Sequence, residues 1–500
     1  MKGCIVLQRQ WALIGNAIAL ELKNRYGIRE FCGYIMLRRT QYFVNLQKDI
    51  NYANLIVDED VHNQYKQEKL DIEYLKKIET EYGTPNLWPY LAVDRTLMMN
   101  IPPREYSISP TPPYTHEEML RIIQVTFKNI TKFLEKEKPD FLIMPLVGTV
   151  GTMAIYNIAK KMGIKTLTTD IGRIKNLVTF TENYKTLTGV EEIFKNIKEN
   201  NYKSPYQQKA LSLLEEFRKT PVPPSYAIKK KDKSLIEKIL SAPTNLLRSV
   251  TFIIRSTTNY LKNPYKSEQT TENPWYTLID KIIRKIRSLR NLNKLYDKPN
   301  WNEDFVYFPL HWEPEINTLL LAPFFTNQIN LLTQIAKSLP AHFKLYVKEH
   351  PGMSDYRPTE YYKELKKIPN LKFINTATSS FDLIKNSKLI ITITGTAGWE
   401  ACLLKKPVIT FGEVFFNTLS FVKKCRAIED LPYIVKQQLE NFQYDEREIV
   451  NMLSAILEDT VSFDYDDLWI KGDYEQIKND HNFPKFVDAL AKKIGLSIKK

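Results

Sequence analysis

Ile390-Ile391-Thr392-Ile393-Thr394-Gly395-Thr396-Ala397-Gly398-Trp399-Glu400-Ala401 is the stretch on which the fold is read. A β-branched run ends in a turn of small residues, and a helix begins. Such an uninterrupted apolar run suits a strand buried on both faces, as in a parallel sheet. Gly395, Ala397 and Gly398 allow a ligand close to the backbone. The helix's first turn offers N–H groups and the positive end of its dipole, which favour an anion such as phosphate. Thr394 and Thr396 add hydroxyls, and Glu400, one turn in, suits a pair of adjacent hydroxyls such as ribose presents. A tight strand-to-helix turn with a first-turn acid has the same pattern, so both readings stand at this point.

Outward from this stretch the alternation continues. Phe305–Phe308, Phe343–Val347, Leu371–Ile374, Leu389–Thr394 and Val408–Phe411 read as strands. Gln328–Ser338, Thr359–Ile368, Phe381–Asn386 and Trp399–Leu404 read as helices. Earlier, Cys4–Leu7, Glu30–Leu37, Phe141–Met144 and Lys165–Thr169 are strands. Trp11–Tyr26 is a helix stopped by Gly27, and Glu117–Glu137 and Met153–Met162 are further helices. The fold class is α/β: two Rossmann-like domains facing a cleft, with a basic helical bridge between them. The expected units are residues 1–219, a linker region 220–302 opened by Thr220-Pro221-Val222-Pro223-Pro224, a second domain 303–432, and a C-terminal helical segment 433–500. Open α/β sheets bind ligands at the carboxyl ends of their strands, so chemistry is sought in the loops there.

The chain has 500 residues, 43% hydrophobic and 26% charged, which excludes a disordered or collagen-like polymer. Cys4, Cys32, Cys402 and Cys425 are scattered and read as reduced thiols, not as a disulfide frame or zinc site. No secretory leader and no spanning segment is read, so a cytosolic location is expected. The net charge of +14 is concentrated: Ile228–Asn300 holds 16 Lys/Arg against 6 Asp/Glu. Within it, Leu246–Leu261 is amphipathic, and Ile282, Ile286, Leu289, Leu292 and Tyr296 form a helical stripe beside Arg284, Lys285 and Arg287. An anionic membrane surface and a solvated bridge packed on a domain both fit. Nucleic acid is set aside because no recognition motif accompanies the charge.

Other strand-end loops carry candidates. Lys348 and His350, in Lys348-Glu349-His350-Pro351, can offer charge or a donor to phosphate. His311, Glu313 and Glu315 follow the second domain's first strand as ligand contacts or a general acid/base. In the first domain Gly148 and Thr149 form a small-residue loop, Asp170 is a possible base, and Arg173 is placed to reach an anion across the cleft. No Walker A lysine loop, GxSxG, HExxH or GxGxxG is present, and neither metal nor cofactor is expected.

Phe308-Pro309-Leu310-His311 with Pro314-Glu315, Val347-Lys348-Glu349-His350-Pro351, Thr394 to Ala401, and Lys406-Pro407-Val408-Ile409 with Phe411-Gly412 occur in the order that resembles the capsule polysaccharide biosynthesis protein family. That family includes Kdo (3-deoxy-manno-octulosonic acid) transferases of capsule lipid linkers. The resemblance covers about Phe305–Phe416 closely, and the first domain only through Pro139-Asp140 and the Gly148–Thr152 loop. It implies a metal-independent GT-B glycosyltransferase, with the nucleotide-sugar donor in the C-terminal domain and a lipid-linked or glycan acceptor toward the N-terminal one. Glu400 is similar to the glutamate that holds the nucleotide ribose in such enzymes. His350-Pro351 resembles the His-Pro pair of bacterial sialyltransferases, which favours a CMP-sugar. Where many retaining enzymes carry a second glutamate, this chain has Thr392, so the stereochemistry is open. Other readings are a GT-B-like sugar-nucleotide epimerase, a polyol-phosphate transferase, or a non-catalytic nucleotide-sugar-binding partner of an assembly complex.

Overall fold

Strand order, more than strand count, positions the site. In a computed structural model describing residues 1–99, 112–174, 176–221, 242–262, 274–290, 292–471 and 473–497, two sheets carry the chain. The second holds β7 (Phe305–Pro309), β8 (Lys344–Lys348), β9 (Leu371–Ile374), β10 (Leu389–Thr392), β11 (Val408–Thr410) and β12 (Val422–Lys424). They run parallel in the order β12-β11-β10-β7-β8-β9. This is the doubly wound order in which the chain leaves β7 in one direction and resumes at β10 in the other, opening a crevice between them. The sequence reading has five strands here; β12, only Val-Lys-Lys, is too short to register as a pattern.

The first sheet has β1 (Lys2–Leu7), β2 (Glu30–Ile35), β3 (Tyr52–Val57), β4 (Phe141–Met144), β5 (Lys165–Ile171) and β6 (Leu177–Thr181), joined by β13 (Val461–Ser462) from near the C-terminus. Its order is β13-β6-β5-β4-β1-β2-β3, with β6 antiparallel to both β5 and β13. Gly27 closes the Trp11–Tyr26 helix in the left-handed conformation at φ 70°, as its position after the helix predicts. The four cysteines are free and buried.

The halves exchange segments. Helices Thr188–Glu199 and Gln207–Lys219 precede the second sheet in sequence and fall in the expected 1–219 unit. Their buried faces (Val190, Phe194, Ala210 and Leu214) share a core with Phe305, Tyr346 and Met452. Arg218 fixes this packing by donating to the Leu403 carbonyl at 2.8 Å and to Glu446 at 2.9 Å. In return, the C-terminal helix Phe483–Ile494 packs Phe486, Val487 and Leu490 on the first sheet beside Ile5 and Phe180. Lys493 Nζ there bonds the Phe180 carbonyl at 2.6 Å and Asp459 at 2.8 Å. Helical periodicity shows an apolar face but not which sheet receives it.

The basic region forms helices Ala242–Lys262 and Pro274–Leu289. Val222–Pro224 of the expected linker lie outside the described residues. The expected stripe from Ile282 to Tyr296 divides: the helix ends at Leu289, and only Leu292 and Tyr296 pack on the second domain's core.

Phe486→Ala should cost about 3–5 kcal/mol, as for other buried phenylalanines, read as a lower urea midpoint. A change within about 0.5 kcal/mol, typical of surface sites, would remove the C-terminal helix from the first domain's core.

Candidate functional site at the crevice of the second sheet

The crevice is built by the loops after β7, β8 and β10. After β10, Thr392 Oγ1 accepts from the Gly395 N–H at 3.1 Å. Thr392 Oγ1 also lies 3.1 Å from His311 Nε2, and that nitrogen accepts from the Thr394 N–H at 3.2 Å. His311 comes from the loop after β7, so one imidazole spans the switch point and pins the turn. Burial drives its pKa down to about 3, so the ring is neutral. His311, expected as a ligand contact or general acid/base, is thus buried in the wall of the crevice, where it positions the turn after β10.

Gly395 and Gly398 have a structural reason beside the expected one. A Cβ on Gly395 would stand 2.8 Å from Thr392 Oγ1 and 3.0 Å from His311 Nε2; one on Gly398 would stand 2.9 Å from Phe416. Both glycines make room for the protein's own side chains. The helix itself, Thr396–Leu403, starts from Gly395, which has no side chain of its own to cap the first turn. Ala397 and Gly398 are buried, while Thr394, Gly395 and Thr396 retain partial exposure. The helix's N-terminal dipole therefore faces the crevice without a side-chain cap.

Lys348, at the end of β8, is buried and donates to Ser380 Oγ at 2.8 Å. Its charge acts on two neighbours: it opposes the rise in the Glu400 pKa and depresses that of His350. It thus acts on both of the groups expected to hold a nucleotide. Burial lifts Glu400 to about 7. Burial, reinforced by Arg357 and Lys348, lowers His350 to about 4. His350 Nδ1 accepts from the Gly352 N–H at 3.1 Å, so its proton sits on Nε2. This group is a neutral donor rather than a cation. Gly352 is required by Trp312, whose ring would lie 2.2 Å from an added Cβ. Trp312 in turn meets His350 edge-to-face at 5.5 Å.

A residue absent from the sequence reading holds these loops together. Arg357 has no exposed surface, and it donates to the His311 carbonyl at 2.6 Å and to Glu313 at 2.8 Å. It also pairs with Glu349, which accepts from Tyr362 at 2.9 Å. Glu313, expected as a ligand contact or a general acid/base, is thereby engaged as the counter-ion of Arg357. An arginine following Pro-Gly-Met-Ser-Asp-Tyr carries no local pattern that would have marked it.

The first domain's strand ends differ. Gly148 and Thr149 lead into the helix Val150–Lys161, and side chains occupy the amides of Gly148, Thr149, Val150 and Thr152. Thr152 Oγ1 accepts from Gly148 N–H at 3.0 Å and Thr149 N–H at 2.9 Å, and Asp94 accepts from Val150 N–H at 3.1 Å. This loop is a closed capping box, and a Cβ on Gly148 would meet Ile316 of the second domain at 2.9 Å. Asp170 lies in β5, opposite Thr179, rather than in the loop after it. It stays 3.8 Å from Arg173, and burial raises its pKa despite that charge. Burial raises Glu315 too, against Asn317, Arg173 and Arg95. Arg95 donates to the Pro314 carbonyl at 3.3 Å, so Pro314–Ile316 joins the two domains.

Asp58, directly after β3, escaped the sequence reading. Tyr34 donates to its Oδ1, and burial with Asp94 nearby raises its pKa to about 7. A Cβ on Gly151 would lie 2.4 Å from Asp58 Oδ1, so that glycine admits the carboxylate to the helix start. The Asp-Glu-Asp run was visible, but its strand was not.

The model of the family described as capsule polysaccharide biosynthesis protein matches residues 204–427. Protein FixF of Sinorhizobium fredii (strain NBRC 101917 / NGR234) is 30% identical over 125 residues, 24% of this chain and 29% of that protein. The chain thus spans less than a third of this curated relative. Thermosulfurimonas dismutans KpsC, beta Kdo 2,7 transferase, is similar at a TM-score of 0.35 and 12% identity, over 69% of this chain and 88% of that one. The UDP-GlcNAc 2-epimerase from Methanocaldococcus jannaschii is similar at a TM-score of 0.24 and 16% identity, over 92% and 99%. The matched residues 204–427 contain all the ordered strand-end motifs of the second domain, so over that stretch the chain is similar to the capsule polysaccharide biosynthesis protein family.

Proposed function

We propose that the chain is a glycosyltransferase of capsule or surface polysaccharide assembly. It takes a sugar from a nucleotide-activated donor, with a CMP-sugar favoured by the His350-Pro351 pair, to a lipid-linked or glycan acceptor. The observation that carries this reading is the helix start at Gly395, uncapped by side chains and at the switch point of the sheet, in the same crevice as Lys348, His350 and Glu400. As the glycosidic bond breaks, negative charge grows on the leaving phosphate. The amides of Thr396 and Ala397, the Lys348 ammonium and the His350 Nε2–H are groups that lower the energy of that charge. This reading uses no metal. Glu400, when ionised, accepts from the two ribose hydroxyls. Asp58 is the preferred base for the acceptor hydroxyl if the reaction inverts: Tyr34 occupies Oδ1, and Oδ2 takes the proton. Glu315 and Asp170, both close to Arg173, come second. The protein works on the cytoplasmic side, peripheral to the membrane when its acceptor is lipid-linked.

CMP or a CMP-sugar should raise the melting temperature of the purified protein, and Glu400→Ala and His350→Ala should each abolish that rise. A shift with UDP alone would end the CMP preference. Because Glu400 is neutral below its pKa of about 7, CMP affinity should tighten as pH rises toward that value. The expected gain is up to about tenfold per unit below it, and Glu400→Gln should flatten the profile. For an inverting reaction, Asp58→Asn should lower kcat by about 10²–10⁴ with CMP protection unchanged. The wild-type rate should climb with pH through about 7 as Asp58 loses its proton. Undiminished transfer by Asp58→Asn would exclude it as the base.

A further inference from the structure

The helix Pro274–Leu289 is mounted with its cationic face inward. Arg284 donates to Tyr356 Oη at 3.3 Å and lies 4.9 Å over that ring. Arg287 bonds the Tyr356 carbonyl, and Arg290 the Ser354 carbonyl at 2.6 Å. Asp280, the helix's own acid, is buried against Arg284. The opposite face is apolar and open: Ile282, Ile286 and Leu289 are 49%, 64% and 61% exposed. Amphipathic helices on soluble domains normally bury this stripe and leave the charges in water. The partner helix continues the surface with exposed Phe252, Ile254 and Leu261, and Lys281 Nζ lies 3.1 Å from the centre of the Phe252 ring. Trp275 and Tyr276, residue types enriched at membrane–water boundaries, are also exposed.

Charge selects the occupant. The segments 242–262 and 274–290 contain eight Lys/Arg and one acid, Asp280. Arg255, Lys262 and Lys285 remain exposed around the apolar face. A second copy would bring like charge against like, whereas an anionic lipid surface meets both the cations and the apolar stripe. Among the described residues no helix is long and apolar enough to cross a membrane, so the geometry fits lying in the interface.

We infer that the two helices 242–262 and 274–289 form an interfacial anchor that inserts the Ile282–Ile286–Leu289 face into an anionic bilayer surface. Tyr356, gripped by Arg284 and Arg287, meets Trp312 at 5.8 Å, and Trp312 meets His350. The anchor is therefore fastened to the donor side of the crevice. The inference gives the lipid-linked acceptor reading its membrane-facing element and rests on that reading for its purpose.

The test is flotation of the full chain with neutral phosphatidylcholine vesicles and with vesicles containing phosphatidylglycerol. Binding is expected only to the anionic vesicles and should weaken at high salt. Ile282→Asp/Ile286→Asp should reduce the bound fraction by about tenfold or more, with an unchanged melting temperature and an unchanged CMP-induced shift. Arg255→Glu/Lys285→Glu should remove the salt-sensitive part. Wild-type protein that stays in solution, or equal binding by the double-aspartate variant, overturns the anchor. So does sedimentation in which those aspartates dissociate a dimer. Loss of the CMP shift alone, with vesicle binding intact, would strike the transferase reading and leave the anchor standing.

Discussion

A full positive charge without exposed surface organises the second domain's strand ends. Arg357 is compensated by Glu313 from the loop after β7, by Glu349 from the end of β8, and by the His311 carbonyl. Desolvating such a charge is costly, and removing one partner of a buried pair typically costs about 3–5 kcal/mol. The two loops are therefore held in one relative position, because any other leaves a carboxylate or the guanidinium unpaired. Their position sets where His350 and His311 stand. His311 then fixes the turn after β10 through Thr392 and Thr394. The uncapped helix start at Gly395 is the last step of a chain that begins with one buried arginine.

The contrast between the two domains sharpens the meaning of that open start. Both place a strand, a turn of small residues and a helix in succession, and in sequence Gly148–Thr152 and Gly395–Gly398 look alike. In the first, a capping box and Asp94 consume the amides, and a negative carboxylate occupies the place an anion would need. In the second, the cap is a glycine, and Lys348 acts electrostatically on Glu400 of the same helix. Under the proposed function, the second loop is the one suited to an anionic ligand. The proposed base and phosphate cradle would need this division, because a carboxylate with a raised pKa and a cradle for negative charge would frustrate each other in one loop.

Much of this was legible in the chain. Gln328–Ser338, Leu371–Ile374 and the Gly27 stop coincide with the sequence reading because each is set by local periodicity or by one residue's conformational freedom. Lys348 and His350 could be named as candidates because strand ends are where parallel sheets carry ligands, and Glu400 because it lies in the helix that follows β10. Arg357, Asp58 and Tyr34 were not, since their significance lies in partners outside their own loops. The glycines of the turn have a further reason that pattern does not show: a small residue signals close approach without saying what approaches, and here the protein's own side chains do. In the same way the docking of residues 188–219 on the second sheet follows from shape, not from pattern.

The amphipathic helix shows how far a pattern underdetermines its own use. A stripe of Ile282, Ile286 and Leu289 beside arginines is equally a core-facing and a surface-facing helix. Three hydrogen-bonding arginines on the opposite face decide between them. Tyr356, Ser354 and Thr359 present oxygens and rings to which guanidinium groups bind with defined geometry. Rotating the helix to bury the isoleucines would strand those arginines and Asp280 together. The polar contacts thus hold the apolar face outward, and the same contacts reach Tyr356 and through Trp312 the imidazole of His350. A surface bound at that face is mechanically joined to the crevice by side chains already in place, with no additional element required.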